Sequence, residues 1–222
     1  MKKLILSALL IIIEAILFVL ILFINPPYGW FFCYATVALA FIFVLFFVFQ
    51  KKEYLIPLAL LLTLAADFFL VILARPTDRP YGMFFFMLVQ FIYGIYLFIN
   101  DPLHKKQSII LRIIINLALV ITGIIVLKKQ IDALSLFSII YFANIITNII
   151  CCLFNFRKFK LLFIALVLFI LCDIHTGLVI ADGIYLTYKV DGLIYTIVHT
   201  PFNFTWFFYI PSQTLIALYY SK

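Results

Sequence analysis

The stretch Pro57-Leu-Ala-Leu-Leu-Leu-Thr-Leu-Ala-Ala-Asp67-Phe-Phe-Leu-Val-Ile-Leu-Ala74 decides how the chain is read. It is almost wholly apolar and long enough, as a helix, to cross most of a hydrocarbon core. Yet it carries Asp67, seven residues before its end. A second run, Leu161–Ala181, repeats the arrangement with Asp173 eight residues before its end. A charged carboxylate in hydrocarbon is costly, so acids in such runs face a bundle interior or a water-filled cavity and mark candidate functional sites.

Composition extends that reading to the whole chain. Of 222 residues, 68% are hydrophobic, 27 are Phe and only 11% are charged, with a mean hydropathy of +1.27. No soluble domain has this balance, and no polar stretch is long enough to hold one. The apolar runs do not alternate with polar residues as barrel strands do. The expected fold is therefore all-α, a polytopic transmembrane bundle forming one domain over residues 1–222. The net charge of +7 comes from Lys and Arg between apolar runs, where they set topology and meet lipid headgroups. No nucleic-acid-binding motif accompanies it. Cys33, Cys151, Cys152 and Cys172 all lie in apolar runs without metal-ligand spacing and read as small hydrophobes. The apolar run after Met1-Lys-Lys continues to Ile24 without a small-x-small cleavage site, so a retained first helix is expected rather than a signal peptide.

Eight spans can be placed: Leu4–Ile24, Trp30–Phe49, Tyr54–Ala74, Gly82–Ile99, Ser108–Leu127, Ile131–Phe154, Leu161–Ala181 and Asn203–Tyr220. Loops such as Asn25-Pro-Pro-Tyr28 and Asn155-Phe-Arg-Lys158 are short, so consecutive helices are antiparallel neighbours. The stretch from Asp182 to Phe202 is the exception; its Asp182-Gly, Asp191-Gly and Thr200-Pro signals read as a loop or a short interfacial helix over one mouth of the bundle. A cytoplasmic N-terminus places eleven of the 16 Lys and Arg on the inner side. The positive-inside rule then puts both ends in the cytoplasm of a cell-membrane protein.

With this topology, Asp67 and Asp173 fall roughly 10–12 Å below the outer ends of their helices. Gln90 lies at a similar depth and Gln213 slightly deeper, with Glu14 and Asn116 about a turn below and Asn144 deeper still. A layer of polar groups is what a pocket open to the outer leaflet would produce. Spans 3 and 7 match in direction and in the place of the acid, and spans 4 and 8 each carry a glutamine, a pattern that suggests a 4+4 parallel repeat.

Each group has a structural reading beside the functional one. Two acids in one low-dielectric site do not both ionise easily, and the proton they share suits general-acid chemistry; alternatively each aspartate only hydrogen-bonds neighbouring helices. Glu14 has apolar helical neighbours throughout and is either a third member of the site or a buried anchor. Gln90 and Tyr93 share one helix face and can donate to a carboxylate or a headgroup, as can Gln213, although interhelical packing contacts of this kind are common. Pro211 would break span 8 and free backbone carbonyls. Asn144, Thr147 and Asn148 form a polar stripe on span 6. Arg75 and Arg79, just past Asp67, can bind a lipid phosphate or serve as ordinary interfacial anchors. His175 lies about 200° around the helix from Asp173. No glycine-rich phosphate loop, serine elbow or HExxH motif occurs, and nothing calls for a metal or cofactor. Nothing in the sequence specifies an oligomeric state.

Over residues 54–220 the chain resembles the lysoplasmalogenase-like (YhhN-like) membrane family. Ala66-Asp67-Phe-Phe-Leu70 is similar to the first family motif, and Gly82, Phe86, Gln90 and Tyr93 follow its Gly-x-x-x-Phe-x-x-x-His-x-x-Tyr pattern, with glutamine in place of histidine. Phe169-Ile-Leu-Cys172-Asp173 resembles the second motif, and Tyr209-Ile-Pro-Ser212-Gln213-Thr-Leu-Ile216 the closing one. The likeness implies eight helices and hydrolysis of the vinyl ether of a lysophospholipid, with Asp67 and Asp173 as the catalytic pair. Gln90, Tyr93, Gln213, Asn144, Arg75 and Arg79 are expected to contact the substrate, and Glu14 and Asn116 are additional candidates. The alternatives are a proton-coupled transporter or lipid-binding protein using the same acids, and a purely structural membrane protein. A polar track reaching the cytoplasmic helix ends would favour transport, and a cavity closed below would favour a lipid enzyme.

Overall fold

The computed structural model describes residues 2–24, 26, 28–128, 131–181 and 192–222. These residues are all-helical, with no strand among them. The helices are α1 (Lys2–Val19), α2 (Gly29–Lys51), α3 (Leu55–Asp67), α4 (Arg79–Asn100), α5 (Lys105–Leu127), α6 (Ala133–Phe154), α7 (Phe156–Ala181), a short α8 (Leu193–Val198) and α9 (Phe204–Ser221). Seven helical stretches, from α1 with its continuation to α7, are long and apolar enough to cross a membrane. The expected span boundaries agree with these helices to within a few residues, except that α7 begins at Phe156 and so takes Arg157, Lys158 and Lys160 into its first turns. Of the segment Asp182–Phe202, residues 182–191 lie outside the described residues, and with them both Asp-Gly signals; α8 supplies the short helix. Asn25, Pro27, Lys129 and Lys189 are outside as well.

Helix ends follow local chemistry. Pro76 opens a single 3-10 turn, Pro76–Asp78, that leads into α4. Lys52 ends α2 in the left-handed region, its N–H donating to Val48 O. At the start of α6, Asp132 and Ser135 form a reciprocal capping box. Ser135 N donates to Asp132 Oδ1 at 2.8 Å, and Asp132 N donates to Ser135 Oγ at 2.9 Å. The Ser135 backbone N–H favours the charged form, so the Asp132 carboxyl sits below its ordinary value of 3.8. A depressed carboxylate contributes stability above its unfolded pKa, and that stability is lost as pH falls through the folded value. Asp132→Ala should therefore cost about 1 kcal/mol at neutral pH. The gap between variant and wild-type melting temperatures in detergent should narrow as the pH is lowered below 3.8; a gap that does not change with pH would rule out the ionised cap.

Six helices form a closed ring through the contacts α2–α3, α3–α4, α4–α6, α6–α7, α7–α9 and α9–α2. Outside it, α1 packs on α2 and α9, and α5 packs principally on α6. The contacts α2–α3 and α6–α7, and likewise α3–α4 and α7–α9, join consecutive long helices in the two halves of the chain. At one end of the bundle the two chain termini meet, Lys3 Nζ donating to Lys222 O at 2.9 Å. The same end holds Lys51, which donates to Tyr220 O, Tyr220 Oη, which donates to Glu53 O at 2.6 Å, and Lys158, which donates to Asn100 O at 2.7 Å.

Two features depart from expectation. Pro211 does not interrupt α9, which runs unbroken from Phe204 to Ser221. Proline removes only one helical N–H, and Ser212 Oγ ties the helix to Ala165 O of α7 at 2.9 Å. Secondly, α3 changes to a π-helical turn, Phe68–Leu73, directly after Asp67. The wider ladder ends at Ala74, in the left-handed region, with its N–H donating to Phe69 O. Turns of this type concentrate at functional sites.

Candidate functional site

Asp67 and Asp173 line one cavity of about 1070 Å³. On α7 the lining residues Asp173, Thr176, Gly177 and Ile180 recur at helical spacing and form one stripe. On α3 and its π turn they are Asp67, Leu70, Val71 and Ala74; α6 adds Ser135, Ser138, Tyr141 and Phe142, and α9 adds Thr205, Trp206 and Tyr209. The C-terminal half of α5 closes one side with Leu119, Thr122, Gly123, Val126 and Leu127. Thr122 and Val126 of this helix are exposed, as are the lining residues Trp30, Ala74, Gly177 and Asn203, so the cavity reaches the surface of the bundle. Both tryptophans, Trp30 and Trp206, belong to the lining.

Each aspartate is held by one tyrosine. Tyr209 Oη donates to Asp67 Oδ2 at 2.7 Å, and Tyr141 Oη donates to Asp173 Oδ2. The Phe169 ring stands between the two tyrosines, with centroids 5.4 Å from Tyr209 and 6.4 Å from Tyr141. Phe86 packs on Phe169 at 5.5 Å and closes the cluster. The two acids differ in access. Asp67 is 3% exposed, whereas Asp173 is half-buried. Arg79 is the cavity's only basic lining residue among those described. Neither aspartate has an ion-pair partner among the described residues, where the only such pair is His104–Asp101 at 2.9 Å.

Of the ten residues singled out from the sequence, the cavity gathers Asp67, Asp173 and Arg79. Arg75 is exposed beyond the end of the π turn. Gln90, Asn144 and Asn116 belong to a second polar layer that includes Asn148 and Arg112. Arg112 Nη2 donates to Asn148 Oδ1 at 2.7 Å and Nη1 to Asn144 Oδ1 at 3.4 Å. Asn148 Nδ2 donates to Gln90 O and Gln90 Oε1 at 2.9 and 3.0 Å, and Asn144 Nδ2 to Asn116 Oδ1 at 3.3 Å. Gly94 lets the guanidinium pass: a Cβ there would lie 2.7–2.9 Å from three of its atoms. Gln90 Nε2, Tyr93 Oη, both amide atoms of Gln213 and both carboxylate oxygens of Glu14 are buried without hydrogen-bond partners among the described residues.

Tyr141, Tyr209 and Arg112 are the residues that sequence reasoning passed over as site members. Tyr141 lies three residues before Asn144, on the polar stripe of span 6. Arg112 lies four residues from both Ser108 and Asn116, a polar stripe inside a span, although it reads at first as a loop cation. His175 lines a separate cavity of about 290 Å³ and meets Thr205 Oγ1 at 2.9 Å through Nδ1, as its angular separation from Asp173 requires. No cluster of metal-ligating side chains occurs among the described residues.

Chemically, the cavity offers two carboxyl groups, two phenols and aromatic and aliphatic walls, with a cation at one side. Such a site can hold a hydrocarbon chain and move a proton at its polar end. No family model, curated protein or solved structure matches the chain, so the family resemblance rests on its quoted motifs alone.

Proposed function

We propose that the protein is a lysoplasmalogenase-like membrane hydrolase that cleaves the vinyl ether bond of a lysophospholipid. The observation that carries this reading is the presence of two aspartates, from two different helices, in one largely apolar-walled cavity that α5 helps to close. Vinyl ether hydrolysis begins with proton transfer to the carbon distal to the ether oxygen. Asp173, the more accessible acid, is assigned that step. The resulting oxocarbenium ion is stabilised by the carboxylates, and the buried Asp67 orients the attacking water. Water addition returns a proton to a carboxylate, and collapse of the hemiacetal releases an aldehyde and the glycerol hydroxyl. Arg79 lies where a lipid phosphate can be held. The test is aldehyde release by the purified protein from lysophospholipids with and without a vinyl ether; no release from any of them ends the hydrolase reading.

The proposal includes α9 as an eighth crossing, a 4+4 parallel repeat and termini in the cytoplasm of the cell membrane. Its supports are the meeting of both chain ends at one end of the bundle, the paired helix contacts, and the excess of Lys and Arg on that side. On this reading the polar residues of α9 lower its hydropathy because it lies in the ring, with Ser212, Gln213 and Ile216 all buried.

Tyr209 fixes the Asp67 carboxylate, so Tyr209→Phe is expected to lower kcat for aldehyde release about tenfold, the loss of one hydrogen bond to a charged group. KM should be little changed, because Tyr209 does not bear on the headgroup. A change confined to KM would remove Tyr209 from the chemistry. A second reading, proton-coupled transport, is favoured by the Arg112–Asn148–Gln90 layer, which lies among residues that line no part of the cavity. Uptake of substrate into proteoliposomes driven by a pH gradient, without aldehyde release, would establish it.

A further inference from the structure

We infer that the cavity is a binding site for single-chain organic cations, with the cationic group between Asp67 and Asp173 and the hydrocarbon chain along α5 and α6. The inference rests on the cavity being the site for a lipid chain, as proposed above, but not on hydrolysis.

The charges come first. Among the described lining residues the only ionisable groups that carry formal charge are Asp67, Asp173 and Arg79. Each aspartate uses Oδ2 for a tyrosine hydroxyl, and neither has a basic partner among the described residues. A carboxyl group in this setting holds either a proton or an external cation. The surroundings suit an alkylammonium in particular. Tyr141, Tyr209 and Trp206 present aromatic rings beside the acids, Trp206 lying 5.3 Å from Tyr209, and such rings attract quaternary ammonium groups. The volume of about 1070 Å³ is at the upper end of small-molecule sites. The α5 and α6 walls include the apolar Leu119, Val126, Ile139 and Phe142, along which the chain is placed. The same arrangement would favour the oxocarbenium ion of the hydrolysis over its neutral precursor, so an amphiphilic ammonium should compete with the substrate.

The fluorescence of the protein reports occupancy, because its two tryptophans both line the cavity. Purified protein in nanodiscs is titrated with decyltrimethylammonium and, separately, with decanol. A saturable change in tryptophan emission is expected for the cation, with apparent affinity at least tenfold weaker in the Asp67→Asn/Asp173→Asn double variant. Decanol should bind at least tenfold more weakly than the cation to the wild type and equally to both proteins. Decanol binding as tightly as the cation to the wild-type protein overturns the inference without reference to any variant. So does an unchanged cation affinity in a double variant whose circular dichroism and elution match wild type. Aldehyde release is measured on the same preparations. Binding without release leaves the cation site standing and removes the hydrolase, whereas release without aspartate-dependent binding does the reverse.

Discussion

Asp173→Asn is expected to lower aldehyde release by about 100- to 10,000-fold, the range for removal of a general acid. The amide keeps the size of the carboxyl and can still meet the Tyr141 hydroxyl, but it cannot deliver a proton to carbon. Asp67→Asn should also reduce kcat, by a smaller factor if Asp67 orients water rather than donating the proton. The comparison is made by following aldehyde from a vinyl ether lysophospholipid with wild type and both variants at matched protein concentration. Equal rates in all three would remove both aspartates from catalysis. A larger loss in Asp67→Asn would exchange their proposed roles, since the accessibility difference between the two acids would then not decide which one meets substrate.

The largest effect on stability is expected at Asn148, which is not among the residues that line the cavity. Its side chain is fully buried and joins three helices. Oδ1 accepts from Arg112 of α5, and Nδ2 donates to both the backbone and side chain of Gln90 on α4. Asn148→Leu fills the same space and breaks all of these at once. A partly buried guanidinium then loses its shortest hydrogen bond, and a hydrogen bond to a charged group is worth about 1.5–3 kcal/mol. The expected result is a fall in detergent melting temperature, with α5 the first helix to become susceptible to protease. Unchanged stability would mean that Arg112 reaches headgroups or water at no cost. Gly94 belongs to the same contact. A methyl group there would displace the guanidinium rather than any backbone, so Gly94→Ala should weaken the same hydrogen bonds to a lesser degree.

Membrane character and helix placement were legible because both depend on local composition: seven of the eight expected apolar spans coincide with helices long and apolar enough to cross a membrane. Asp67 and Asp173 were legible for a related reason, since acids in such runs are conspicuous. The expected polar layer was less so. Depth along an axis follows from residue count, but the face a side chain presents depends on the rotation of its helix against neighbours not adjacent in sequence. Gln90 shares the depth of Asp67, yet it turns toward Asn148 of α6. The π turn after Asp67 also resets the angular register of every residue that follows, and no composition signal announces it. The tyrosines were hidden among 13 Tyr and 27 Phe; only the assembled bundle distinguishes a hydroxyl on a carboxylate from a ring in packing.

The packing of α5 mainly on α6, with Ile113, Leu117, Ile121 and Ile124 exposed, affects how any lipid-directed activity would be measured. A molecule reaching the cavity past Thr122 and Val126 comes from the bilayer, not from bulk water. The relevant concentration is then its mole fraction in the membrane. At a fixed amount of substrate, adding inert phospholipid should slow turnover by surface dilution, whereas enlarging the aqueous volume should leave it unchanged.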